Sequence, residues 1–126
     1  EAPVLKFVTE LFKPNAPKAP QPITSETSMN FDSREVAPFL TQLANNHRFA
    51  FPEDVAKAIG NVLGDIPVED TKRWKITADF DGRPILIEIE AFMDDIDAPD
   101  LYFFSTQAAI SEIERELEAF AEAIGT

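Results

Sequence analysis

Hydrophobic and polar positions alternate most cleanly between Trp74 and Phe104. Trp74, Ile76, Ala78 and Phe80 alternate with polar residues, and so do Ile85, Ile87 and Ile89 after a break at Asp81-Gly82. Two-residue alternation places one set on each face of a strand. Asp81-Gly82 is a hairpin signal, because a type I′ turn needs φ > 0 at both central positions. With those residues as the loop, Phe80 faces Arg83, Lys75 faces Glu88 and Arg73 faces Glu90. The isoleucines then share one face, and charges of opposite sign meet on the other. A slip by one residue would bury the glutamates and expose the isoleucines, so the register is specified.

Leu101-Tyr102-Phe103-Phe104 predicts a third strand, apolar on both faces. Pro84 has no N–H to offer a neighbour, so this strand is not expected to pair along the whole of the second. Between them, Asp94-Asp95-Ile96-Asp97-Ala98-Pro99-Asp100 predicts an acidic turn.

Helical spacing marks four segments. At the C-terminus, Ile110, Ile113, Leu117, Phe120 and Ile124 recur at three- and four-residue intervals after a cap at Ser105 or Thr106, and Gly125 ends the run. The opposite face carries Glu112, Glu114, Glu116, Glu118 and Glu122 around Arg115. Asp32-Ser33-Arg34-Glu35 forms a capping box ahead of Val36, Phe39, Leu40 and Leu43, with Asn45-Asn46 as its stop. Pro38 falls late for a first-turn proline and predicts a kink or a later start. A third helix is expected from Pro52, with Glu53 and Asp54 near its positive end, a stripe of Val55, Ile59, Val62 and Leu63, and Gly64 at its close. Gly60 inside it costs about 1 kcal/mol of propensity, which fits close approach of another element. Residues 23–31 alternate weakly and read as an edge strand or coil.

The fourth amphipathic segment stands apart. Val4, Phe7, Val8 and Leu11, with Leu5 and Phe12 beside them, form an apolar stripe, and four prolines follow at 14, 17, 20 and 22. Such a run favours an extended polyproline II spacer. The expected organisation is a tethered amphipathic helix over 1–13, a linker over 14–22 and one globular domain over 23–126. The fold class is α+β: a three-stranded antiparallel meander (about 72–80, 84–93 and 101–105) packed against a long C-terminal helix, with two or three N-terminal helices.

Composition narrows function mainly by exclusion. The 126 residues carry 11 basic and 23 acidic side chains, a net charge of −12. That field opposes phosphate backbones and anionic lipid, so neither nucleic acid nor membrane is an expected partner. No apolar run approaches the ~20 residues that span a bilayer. Eleven phenylalanines against one tyrosine and one tryptophan point to a core built on Phe. Without cysteine and with His47 alone, thiolate chemistry, a zinc site and a Ser-His-Asp triad have no basis. His47 reads as a loop residue. Each of the four glycines has a turn, cap or packing role, leaving no phosphate-binding loop. The chain starts at Glu1, which fits a processed or trimmed product; a removed targeting segment stays open, and a cytoplasmic location is the expectation.

Two places remain as candidate contacts. Asp94, Asp95, Asp97 and Asp100 gather four carboxylates within seven residues, but without the Gly and terminal Glu of an EF-hand loop. They read as a solvated turn or a contact for a basic partner rather than a metal site. Val4, Phe7, Val8, Leu11 and Phe12 are the expected interaction element. Glu88 and Glu90 resemble paired catalytic carboxylates, yet their cross-strand cations make salt bridges the simpler account. The functional expectation is a small acidic protein-binding or regulatory module, in the manner of an inhibitor or immunity protein acting on a basic partner, with no catalytic residues and no cofactor. The alternatives are an assembly domain dimerising through its N-terminal helix, and a carboxylate- or divalent-metal-dependent enzyme.

Overall fold

The computed structural model describes residues 19–125. The order of elements is β1 (Ser25–Asn30), α1 (Ser33–Ala44), β2 (Phe49–Ala50), α2 (Val55–Leu63), β3 (Thr71–Phe80), β4 (Arg83–Asp95), β5 (Ala98–Ser105) and α3 (Gln107–Ile124). The strands form one antiparallel sheet in the spatial order β1-β5-β4-β3-β2. The class is therefore α+β with a C-terminal helix, as the hydrophobic pattern predicts, but the sheet has five strands, not three.

The central hairpin has the expected register: Phe80 faces Arg83, Lys75 faces Glu88 and Arg73 faces Glu90. Asp81 and Gly82 take φ of 52° and 81°, as a type I′ turn requires. Ile76, Ala78, Phe80, Ile85, Ile87 and Ile89 are buried together.

Both added strands lie at the edges. Ser25–Asn30 pairs with β5, from Ser25 opposite Ser105 to Asn30 opposite Asp100. Its polar text concealed it, because only one face touches the core and an edge strand needs few apolar residues. β2 contributes two residues, with Phe49 opposite Phe80 and Ala50 opposite Asp79. Two residues are too few to show a period.

The acidic stretch is not a turn of seven residues. β4 continues through Asp95, β5 begins at Ala98, and Ile96 and Asp97 alone bridge them. A register shift between Met93 and Asp95 accommodates the reversal. Backbone pairing to β5 extends the strand past the point where its apolar alternation stops. β5 pairs with β4 only from Glu88 onward. Beside Pro84 its place is taken by Gln21, whose N–H donates to the Pro84 carbonyl at 3.0 Å and whose carbonyl accepts from the Leu86 N–H at 3.0 Å. The proline-rich segment thus ends as a strand-like contact in the sheet, the only parallel bridge among the described residues. The expected helix over 1–13 and the linker up to Lys18 lie outside the described residues.

The α1 capping box is present in full: the Asp32 side chain accepts from the Arg34 N–H, and the Glu35 side chain accepts from the Asp32 N–H. Pro38 sits inside α1 on an exposed position, where solvent can satisfy the carbonyl its ring deprives. The next helix starts later than Pro52 predicts: Asp54 is its N-cap, accepting from the Lys57 N–H, and Val55 is its first residue. A β-carbon built on Gly60 would lie 3.5 Å from the Ala37 β-carbon, so the glycine marks the approach of α1 to α2. Thr106 caps α3, which buries Ala109, Ile110, Ile113, Leu117 and Phe120. Ile124, expected in that stripe, is 46% exposed.

All three helices share a single core with one face of the sheet. Phe39 is its hub, with ring centroids 5.4 Å from Phe31, 5.5 Å from Phe120 and 5.9 Å from Phe103. The one buried polar residue among those described, Ser105, donates from Oγ to the Leu86 carbonyl at 2.7 Å.

Candidate functional site: the outer face of the sheet

Strand alternation that sends Ile85, Ile87, Ile89, Leu101 and Phe103 into the core sends their neighbours to the opposite face. Register then sets these neighbours in rows. Glu26, Phe104, Glu88 and Lys75 make one row, and Ser28, Tyr102, Glu90 and Arg73 the next. Asn30, Asp100, Phe92 and Thr71 make a third. Leu86, Phe92, Tyr102 and Phe104 are half-buried there, and the buried side chains of every helix belong to the inner face. The result is an apolar, largely aromatic strip bordered by carboxylates.

Arg73 organises the strip. Its Nη1 donates to Glu88 Oε1 at 2.6 Å, its Nε donates to Glu90 Oε1 at 3.0 Å, and Nη2 also bonds Glu90. The guanidinium carbon lies 4.7 Å from the Phe104 ring centroid. These hydrogen bonds, to Glu90 first and then Glu88, raise the Arg73 pKa above its ordinary value. Lys75 stands opposite Glu88 as expected, yet Arg73 takes both glutamates. A planar fork reaches two carboxylates and stacks on an aromatic ring at once, which an ammonium cannot do. Glu88 and Glu90 are thus ion-paired, as the sequence reading favours, although the pairing is shared rather than one to one. The remaining edge of β3 carries Lys72 as well, with its Nζ 5.7 Å from the Trp74 ring centroid. Lysines on an uncovered strand edge discourage pairing with another chain.

The aspartates of the acidic stretch are not brought together as one site. Asp94 and Asp95 are exposed at the tip of β4, where Asp95 Oδ1 accepts from the Ile96 N–H at 2.7 Å. Asp97 is in the loop, and its carbonyl accepts from the Ser33 N–H at 2.9 Å. Asp100 belongs to the outer face, and its Oδ1 accepts from Asn30 Nδ2 at 2.7 Å. Among the described residues no group of three or more His, Cys, Asp or Glu side chains is arranged to hold a metal ion. The expected interaction residues Val4, Phe7, Val8, Leu11 and Phe12 lie outside the described residues.

A second polar cluster joins distant elements on the other side of the molecule. Arg48 Nε and Nη2 donate to Asp81 at 2.9 and 2.7 Å, and Nη1 donates to Glu112 at 2.9 Å. Asn46 Nδ2 reaches Glu112 at 2.7 Å and Glu116 at 2.6 Å, while Gln42 Nε2 donates to Glu116 Oε1 at 2.7 Å. Two glutamates of the supposed solvated face of α3 therefore tie it to the end of α1. The hydrogen bond from Arg48 holds the Asp81 carboxyl below its usual range. Donation from Asn46, with the Arg48 charge behind it, does the same for Glu112. Each shift is explained by a structural partner, with no substrate required.

A groove of about 530 Å³ lies between the β3–β4 turn and the start of α3, lined by Gln21, Phe80, Asp81, Arg83, Ile85, Thr106 and Ala108. It holds a single carboxylate, and that one is ion-paired to Arg48. No described helix is long and apolar enough to cross a membrane. No protein-family model, curated protein or solved structure matches the chain.

Proposed function

We propose that this protein is a non-enzymatic protein-binding module that engages a basic partner through the outer face of its sheet. The observation that carries the reading is the strip of Leu86, Phe92, Tyr102 and Phe104 set among Glu26, Glu88, Glu90 and Asp100. Aromatic side chains supply contact area at low entropic cost, and the carboxylates around them steer and orient a cationic ligand. A net charge of −12 speeds encounter with such a partner at low salt.

The test uses a synthetic peptide alternating arginine and leucine, followed by fluorescence anisotropy. Tyr102→Ala combined with Glu90→Gln should weaken binding about tenfold, the effect of losing ~1.4 kcal/mol at a central contact. Glu114→Gln with Glu118→Gln removes more charge from an exposed part of α3 and should change affinity less than about twofold. Equal losses in both variants would mean diffuse attraction to an acidic surface, and no binding by the parent chain would end the reading.

A further inference from the structure

The three helices cover only one side of the sheet, and the chain itself holds a segment suited to the other. Residues 1–18 contain Lys6, Lys13 and Lys18 against Glu1 and Glu10, a net charge of +1. The remaining 108 residues hold eight basic and 21 acidic side chains, a net of −13. The one stretch with a positive balance thus adjoins a face rich in carboxylates. It also carries an apolar stripe, Val4, Phe7, Val8 and Leu11, that costs ~25 cal/mol per Å² if left in water.

Position limits where that stripe can go. Gln21 is bonded to β4 beside Ile85. From there Phe104, in the row of Glu88, lies three residues along β4, or roughly 10 Å at ~3.4 Å per residue. Tyr102, in the row of Glu90, lies five residues along, roughly 17 Å. The stretch 13–20 spans about 25 Å at ~3.1 Å per residue if extended. Because Gln21 runs parallel to β4, the preceding chain approaches from the Asp81-Gly82 end and must fold back over the face. That reversal uses part of the span and still leaves Phe104 and Tyr102 within reach. A tether this short keeps the segment near millimolar effective concentration, so at micromolar protein it outcompetes a second copy.

We propose that residues 4–12 dock in cis on the outer face. Their apolar stripe covers Phe104 and Tyr102, and Lys6 and Lys13 face Glu26, Glu88 and Glu90. This proposal rests on the reading of that face as a binding surface and adds its regulation: the segment competes with the basic partner.

The full chain has no cysteine, so Thr9→Cys accepts a single nitroxide label. Relaxation enhancement in ¹⁵N spectra should broaden amides of Glu88–Phe92 and Asp100–Phe104 and spare Ile113–Phe120 of α3. Mixing labelled ¹⁴N protein with unlabelled ¹⁵N protein should abolish the effect. Persistence in the mixture would assign the occupant to a second copy and overturn the proposal, as would broadening elsewhere or nowhere. Tyr102→Asp with Phe104→Asp should release the segment while the amides of α3 keep their positions. In parallel, Phe7→Asp with Leu11→Asp should raise affinity for the arginine–leucine peptide several-fold. Peptide binding without broadening overturns docking and leaves the binding reading intact; broadening without peptide binding supports docking and ends that reading.

Discussion

Arg48 shows how much of this structure turns on single side chains that linear spacing does not mark. It joins the loop after α1 to the β3–β4 turn through Asp81 and to α3 through Glu112, with its guanidinium carbon 4.6 Å from the Phe80 ring centroid. Its partners are 33 and 64 residues away in sequence, beyond any periodicity. Asp81 and Glu112 both titrate below their ordinary values here. A carboxylate depressed in the folded state contributes stability that is complete above its unfolded pKa, near 4, and is lost as pH falls through the folded value. Arg48→Met removes that contribution. The melting temperature of the variant should fall below that of the parent at pH 7, and the gap should narrow steadily below about pH 4. Thermal melts from pH 7 to pH 2.5 check this. A gap independent of pH would assign the role of Arg48 to packing on Phe80. Asp32, held near a pKa of about 2 chiefly by its hydrogen bond with Arg34, titrates alike in both proteins and does not confuse the comparison.

At the scale of elements, the long C-terminal helix separates what periodicity can and cannot tell. The stripe Ile110, Ile113, Leu117 and Phe120 was legible because a helix brings every third or fourth residue to one face. Ile124 continues the spacing and yet is 46% exposed, since periodicity carries no information about where the supporting surface stops. Leu117, at 6% exposure, should cost about 2–5 kcal/mol when changed to Ala, whereas Ile124→Ala should stay within about 0.5 kcal/mol. Urea titrations of both variants measure the difference, and equal costs would mean that the last turn is also core. The helix at Val55 teaches a related lesson. Pro52, Glu53 and Asp54 all suit a first turn, and the carboxylate of Asp54 decided the start by capping the backbone.

For the whole molecule, charge is the dominant property. Of the cations, Arg34, Arg48 and Arg73 are committed to neighbouring carboxylates, and Lys72, Arg73 and Lys75 lie along one strand edge. Such an arrangement offers no phosphate track. Fluorescence anisotropy with labelled duplex DNA at low salt should show no saturable binding up to micromolar protein. Salt-sensitive micromolar affinity would contradict this. The same charge favours a basic ligand, and the outer sheet face is where apolar contact and carboxylates coincide.

By itself the sequence determined the central hairpin, its turn, the capping box at Asp32, the C-terminal stripe and the acidic balance. Each is a local matter: alternation, a positive φ or a cap involves residues close in the chain, and their chemistry is complete within that window. Tertiary structure decided the rest. Whether Ser25–Asn30 is strand or coil depends on β5 offering it a ladder, and Phe49–Ala50 exists as a strand only beside Phe80 and Asp79. Gln21 becomes part of the sheet because β5 leaves the start of β4 unpaired. The acidic stretch is mostly strand because backbone pairing continues after side-chain alternation ends. The outer face was hidden for the same reason: its rows draw on β1, β3, β4 and β5, and only the register between strands sets Phe104, Glu88 and Arg73 side by side.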